Sequence, residues 1–172
     1  MKTAGFFDLQ SPKDLLVKAR VDLDRFQSDP LSTYAAFDFF VAIRHLPDWM
    51  HPDDPESKQR TALAEEQRKT LFERHVELRI SRHIADGAKH FVATHRQNYQ
   101  VEGTSVAAAF QVSGDAFQAG GFQGRSLFIK LDSRDPDTHK LGGDWIPALQ
   151  FAEQAFKVAE TIVSSAAIPS RR

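Results

Sequence analysis

The segment Arg79-Ile80-Ser81-Arg82-His83-Ile84-Ala85-Asp86-Gly87-Ala88-Lys89-His90 holds the chain's densest set of groups able to move protons, grip phosphate or ligate metal. His83 and Asp86 stand three apart and Asp86 and His90 four apart. On a helix both spacings fall on adjacent turns of one face. Nitrogen and oxygen donors arranged this way suit zinc, manganese or iron, but a protein metal site takes three or four ligands. The remainder would come from a second helix, where Asp38 and His45, seven apart on one face, are the candidates. The metal set is therefore Asp38, His45, His83, Asp86 and His90. The competing reading is a hydrogen-bonded network in which Asp38 meets an arginine or histidine and fixes helix packing, because a polar group inside an apolar helix must find a partner or stay out of the core. The network is the expectation, with no cofactor required.

The same segment supports a second chemistry. An arginine can hold phosphate while a histidine, with an unperturbed pKa of about 6.5, moves a proton. Arg82, Lys89 and His90 would form an RNA-cleaving or anion-binding group, and with His45 they are the candidate catalytic set. This arginine and histidine grouping loosely resembles the helical HEPN-type ribonucleases, in which an arginine is followed a few residues later by a histidine on a helix. Seven residues separate Arg82 from His90, and the shorter spacing occurs instead from Arg44 to His51, across Pro47, and from Arg68 to His75, on a highly charged stretch.

A broader resemblance rests on two segments, Phe37-Asp38-Phe39-Phe40-Val41-Ala42-Ile43-Arg44-His45-Leu46-Pro47-Asp48-Trp49 and Gly87-Ala88-Lys89-His90-Phe91. A phenylalanine-rich helix ending in His-x-x-Asp-Trp, followed later by Gly-x-Lys-His-Phe, is similar to short bacterial proteins of unassigned function. The resemblance implies a shared centre at His45, Asp48, Trp49, Lys89 and His90, and a place in a bacterial or mobile-element accessory system. It implies no activity.

Other chemistries are absent from the chain. There is no Gly-x-x-x-x-Gly-Lys phosphate loop, no His-Glu-x-x-His zinc helix and no Gly-x-Ser-x-Gly elbow. With no cysteine, disulfides, thiolate catalysis and cysteine-ligated metal are excluded. Phenylalanine occurs 14 times against two tyrosines and two tryptophans, a bias toward packing over polar chemistry. The pairs Phe110-Gln111, Phe117-Gln118 and Phe122-Gln123 would put phenylalanine on one face of alternating strands. Turned inward, that face packs a hairpin on the bundle. Turned outward, Phe110, Phe117 and Phe122, with Trp49, form an apolar patch for a protein partner or for self-association.

These residues need elements to position them. Ser11-Pro12 starts a helix in which Leu15, Leu16, Ala19, Leu23 and Phe26 make one stripe, with Lys13, Lys18, Asp22 and Arg25 off it. Asp29-Pro30 opens a central helix, apolar nearly all round from Tyr34 to Leu46 and including Phe37, which Pro47 should stop. Asp53-Asp54-Pro55-Glu56 opens a charged, peripheral third helix over residues 56–74, with Ala62, Leu63, Leu71 and Phe72 as a sparse apolar line able to detach in part. A fourth helix runs from about Glu77 to about Thr94, burying Leu78, Ile84, Ala88, Phe91 and Val92. Residues 101–112 and 126–132 read as a β-hairpin or small sheet, with residues 114–124 a turn or third strand between them. Asp144 is placed to cap a last helix carrying Ile146, Leu149, Ala152, Phe156, Ala159 and Val163.

The expected fold is mostly α, in the α+β sense, a four- to five-helix bundle with an antiparallel hairpin or small sheet inserted before the last helix. At 172 residues one domain is expected over 1–172, with 1–10 and 164–172 as frayed tails. A net charge of -1 gives no long-range field toward nucleic acid. No apolar run approaches the roughly 20 residues that cross a bilayer, so no membrane partner and a cytoplasmic location are expected. The functional expectation is a non-catalytic protein-interaction or regulatory module, with a HEPN-type ribonuclease or a metal-assisted hydrolase as the alternative.

Overall fold

The computed structural model describes residues 7–90, 101–109, 123–132, 136–141 and 144–166. Among the described residues there are five helices, α1 (Pro12–Ser28), α2 (Thr33–Met50), α3 (Lys58–Arg74), α4 (Val76–His90) and α5 (Ala148–Ser165). Strands β1 (Val101–Ala109), β2 (Gln123–Leu131) and β3 (Trp145–Pro147) form an antiparallel sheet in that order, with β2 central. A 3-10 turn, Thr138–Leu141, precedes β3. The chain is thus mostly helical with a small antiparallel sheet inserted before the last helix, as its pattern implied. No described helix is long and apolar enough to cross a membrane.

Local chemistry sets the helix ends. Ser11 caps α1 by accepting from the Asp14 backbone N–H, and Pro12 occupies the first helical position, where its missing N–H costs nothing. The second cap lies later than expected. Asp29 closes α1, its N–H donating to the Arg25 carbonyl and its carboxylate turning the chain by accepting from Leu31 N, and Ser32 caps α2. Likewise Ser57, three residues beyond the acidic pair, caps α3, while Asp54 is spent on the loop, accepting from Glu56 N and Arg60.

Two prolines acted differently from expectation. Pro47 does not stop α2, which continues to Met50. Only one intrahelical bond is lost there, the ring is buried against the core, and the His51 N–H closes the final turn on the Pro47 carbonyl at 3.0 Å. Pro147 sets the start of the last helix. The residue before a proline is pushed toward extended backbone, so Ile146 lies in β3 and α5 begins only at Ala148. Asp144 therefore caps no helix, and its carbonyl accepts from Leu131 N at 2.7 Å.

The core gathers along α2. Phe39, Phe40, Ile43 and Leu46 meet Leu15, Ala19, Leu23 and Phe26 of α1, Leu78 and Ile80 of α4, and Phe151, Ala152, Ala155, Phe156 and Ala159 of α5. Phe40 lies edge-on to Phe39, with ring centres 5.3 Å apart, and stacks on Phe151 at 6.0 Å. The α5 alanines let its backbone come close to these rings. The sheet joins through Ile129 and Leu131 of β2 and Ile146 of β3, with Ile129 opposite Ile146 in register. Three expectations about faces are corrected. Phe37 lies on the outer face of α2, because a helix packed on one side cannot bury residues on the other. Leu63 of α3 is likewise exposed, and Ala64 is buried in its place. Asp22 of α1 is buried with the apolar stripe, where Lys18 and Arg25 pair with it.

The expected continuation of α4 to Thr94, with Phe91 and Val92, lies outside the described residues, as do residues 110–122 and the ends of both tails. Gln10 is tied to α1 by the bond from its backbone N–H to Asp14, and α5 persists to Ser165. Truncating the core aromatic Phe151 to alanine should cost about 3–5 kcal/mol, against less than about 0.5 kcal/mol for Val17→Ala on the exposed side of α1, in urea unfolding of the two variants.

Candidate functional site

Six charged residues from three helices and one loop alternate in sign. They run in the order Arg82, Asp86, Arg44, Asp48, Arg68 and Asp53. Arg44 of α2 stands in the middle, its Nη1 donating to Asp48 Oδ2 at 2.6 Å and its Nε to Asp86 Oδ1 of α4 at 3.3 Å. Arg82 Nε faces the other Asp86 oxygen at 3.5 Å, and its guanidinium lies over the Phe72 ring of α3, 4.9 Å from the centre. Arg68 of α3 approaches Asp48 at 3.7 Å and donates to Asp53 at 2.8 Å and to the His51 carbonyl at 2.6 Å. His45 Nδ1 lies 3.3 Å from the same Asp48 oxygen that Arg44 holds.

Helical spacing explains part of the assembly. Arg44 with Asp48 and Arg82 with Asp86 are neighbours at i and i+4 on their own helices. The join from Arg44 to Asp86 and the joins of Arg68 exist only because α2, α3 and α4 pack together. Nearby, Arg79 of α4 donates to the Phe72 and Glu73 carbonyls at 3.3 and 3.0 Å and to Asp137 at 2.6 Å. It satisfies carbonyls that the end of α3 leaves open. A partly exposed ion pair contributes about 0.2–1 kcal/mol, and a hydrogen bond to a charged group about 1.5–3 kcal/mol, so the chain of charges holds α3 and α4 to α2 through the sum of small terms.

The residues expected at one centre are divided among several places. Asp38 bonds to Arg25 of α1 at 3.0 Å, the kind of packing network weighed against a metal. It shares no cluster with His45, although the two are on one side of α2. His45 stays with Asp48, and Trp49 is partly buried against the core. His83 lies on the same face of α4 as Asp86, its Nδ1 buried with no hydrogen-bond partner among the described residues. Ser81 is fully buried and its hydroxyl likewise has no partner among the described residues. Lys89 and His90 belong to the backbone of α4, but their side chains lie outside the described residues, as do Phe110, Phe117 and Phe122. Among the described residues no three His, Asp or Glu side chains are grouped to hold a metal ion. Two shallow depressions, of about 450 and 350 Å³, lie at the turn from α1 to α2 and at the start of α3, both away from His45 and Arg82.

Burial and charge shift the protons. Burial alone would raise the Asp48 carboxyl, but the bond from His45 and the Arg44 guanidinium outweigh it and hold Asp48 below its ordinary 3.8. Burial pushes His83 below 6.5, and the Asp86 charge only partly opposes this. His51 is pushed the same way by burial and by Arg68. Arg44 and Arg68 were legible in sequence only as members of an arginine and histidine spacing. Their role as bridges depends on Asp86 and Asp53, which no local pattern links to them. No protein-family model, curated protein or solved structure matches the chain.

Replacing Arg44 with alanine leaves Asp48 and Asp86 facing each other's field without their shared cation, and should cost about 1–3 kcal/mol in urea unfolding. The pH response has two stages. A histidine depressed in the folded state binds its proton more readily once unfolded, so the stability held above about pH 6.5 is lost as pH falls toward the folded pKa. His83 and His51 give this first fall. Asp48 and Asp137, both depressed, give a second that begins below their ordinary 3.8. Thermal melts of His83→Gln should show a shallower first fall with the second unchanged.

Proposed function

We propose that this chain is a non-catalytic protein-interaction module whose contact surface is the outer face of α2. The observation that carries the reading is the exposure of Tyr34 and Phe37, 83% and 41%, on one side of an otherwise well-packed helix. Val41, one turn further along the same side, is half-buried. Exposed apolar residues scattered singly need no explanation, but two aromatic residues and a valine at i, i+3 and i+7 make a continuous stripe. Such spacing is how an amphipathic helix engages a groove or another helix, and aromatic residues are enriched where protein surfaces meet.

The polar centre supports the same reading. Each arginine in it already faces a carboxylate, and each carboxylate faces an arginine, so the group acts as a brace. Bridging α2, α3 and α4, it holds in register the helix that presents the stripe. The protein partner is either a second copy of this chain or another protein with an apolar groove.

Sedimentation velocity over a wide concentration range addresses the first partner, and a photo-crosslinking residue placed at Tyr34 in cells addresses the second. The reading expects either a sedimentation coefficient that rises with concentration or a discrete protein adduct. Tyr34→Ser with Phe37→Ser should abolish that signal while shifting the melting temperature by no more than about 2–4 °C, as surface changes do. A concentration-independent monomer that also gives no more adduct at Tyr34 than at exposed Leu63 would falsify it. RNA cleavage that survives the double substitution and disappears with Arg82→Ala would replace it with the ribonuclease reading.

A further inference from the structure

α4 is tied to α2 by the Arg44 to Asp86 pair but also buries Leu78, Ile80 and Ala85, whereas α3 has little apolar surface to hold it. Ala64 is the buried residue of its 17, and Leu63 is 60% exposed. Its remaining apolar contacts, Leu71 and Phe72, are partly buried near its C-terminal end. By contrast α1, α2 and α5 each bury a continuous apolar face. What ties the middle of α3 down is the Arg68 guanidinium, which holds Asp53, Asp48 and the His51 carbonyl. What ties down its C-terminal end is a pair of arginines from α4, Arg79 on the Phe72 and Glu73 carbonyls and Arg82 over the Phe72 ring.

These ties are electrostatic and within reach of dissolved ions. The Arg68 side chain is 16% exposed, but Asp48 and Asp53 are far more open to solvent. Charges in that position are screened within a distance of about 8 Å at physiological ionic strength and about 3 Å in molar salt. Apolar faces are not loosened in this way. The geometry also supplies a hinge, since His75 alone separates the end of α3 from the start of α4, and the loop of residues 51–57 frees the other end.

We infer that α3 is an ionic strap that lifts from the bundle as a unit when its arginine clasps are released, while α1, α2 and α5 stay folded. Opening uncovers Ala64, Leu71 and Phe72 and sets Arg68 free to exchange partners, while Asp48 keeps Arg44 of its own helix. The strap does not depend on the contact surface assigned to α2, which lies on Tyr34, Phe37 and Val41.

Amide hydrogen exchange on the full chain, followed by mass spectrometry in about 0.05 M and about 0.5 M sodium chloride, tests the strap directly. Peptides from α3 should exchange at least about tenfold faster at the higher salt, with those from α2 and α5 within about twofold of their low-salt rates. Arg68→Ala should reach the fast rate already at low salt and lose most of the salt response, and Arg68→Lys should fall between, since lysine keeps the charge but not the fork. The salt series on the unaltered protein decides the matter even where a variant folds poorly. Exchange of α3 as slow as that of α5 at both salts would overturn the inference. So would acceleration of all helices together, or fast exchange of α3 that ignores salt.

Discussion

α2 buries Phe39, Phe40, Ile43 and Leu46 on one side and touches every other helix of the bundle, and the rest of the structure depends on that one packed face. The stack of Phe40 on Phe151 ties it to α5, which presents small alanines where close approach is needed. Interiors are packed nearly to crystal density, so a helix locked on one side has its outer side determined as well. That outer side is divided. Its first half shows Tyr34, Phe37 and Val41 to solvent or a partner, and its second half carries Arg44, His45 and Asp48.

The division explains how Arg82 and Asp86, from the most polar segment of the chain, come to be paired with Arg44 across two helices. Two carboxylates brought close without a cation would repel, and an arginine brought close without a carboxylate would lose hydration for little return. Alternating them from Arg82 to Asp53 satisfies both signs in turn. Against the pull of burial, Asp48 is held below its ordinary value mainly by His45 and Arg44, and His83 is pushed below its own by burial. A perturbed pKa is as much a property of structural ion-pair networks as of active sites.

The bundle also has a gradient of attachment. α1, α2 and α5 are joined by apolar faces and aromatic rings, and the sheet enters the same core through Ile129, Leu131 and Ile146. α3 is joined mainly by guanidinium groups. Elements held by few apolar contacts and many exposed polar ones occupy the low end of the range of local stabilities. A fold built this way keeps a firm platform under the α2 stripe while leaving one helix responsive to its ionic surroundings.

What the sequence determined by itself was the order and type of the elements and most of the inward faces. Capping serines, helical spacing and period-two alternation act over a few residues, and Ser11, the α1 stripe and the β2 strand were readable for that reason. Ser32 and Ser57 were obscured by the acidic and proline residues before them, which make turns as readily as caps. Pro147 was readable too, through its effect on Ile146, but the helical period of the residues after it dominated. Tertiary structure alone decided the rest. Whether Phe37 faces in or out depends on which sides of α2 its neighbours cover, and the buried place of Asp22 depends on α1 lying against the core. The polar centre was the least legible, because Arg44 and Asp86 are far apart in the chain and meet only when α2 and α4 pack. Local patterns are set by interactions between near neighbours, whereas charge pairing across helices is set by the geometry of the folded core.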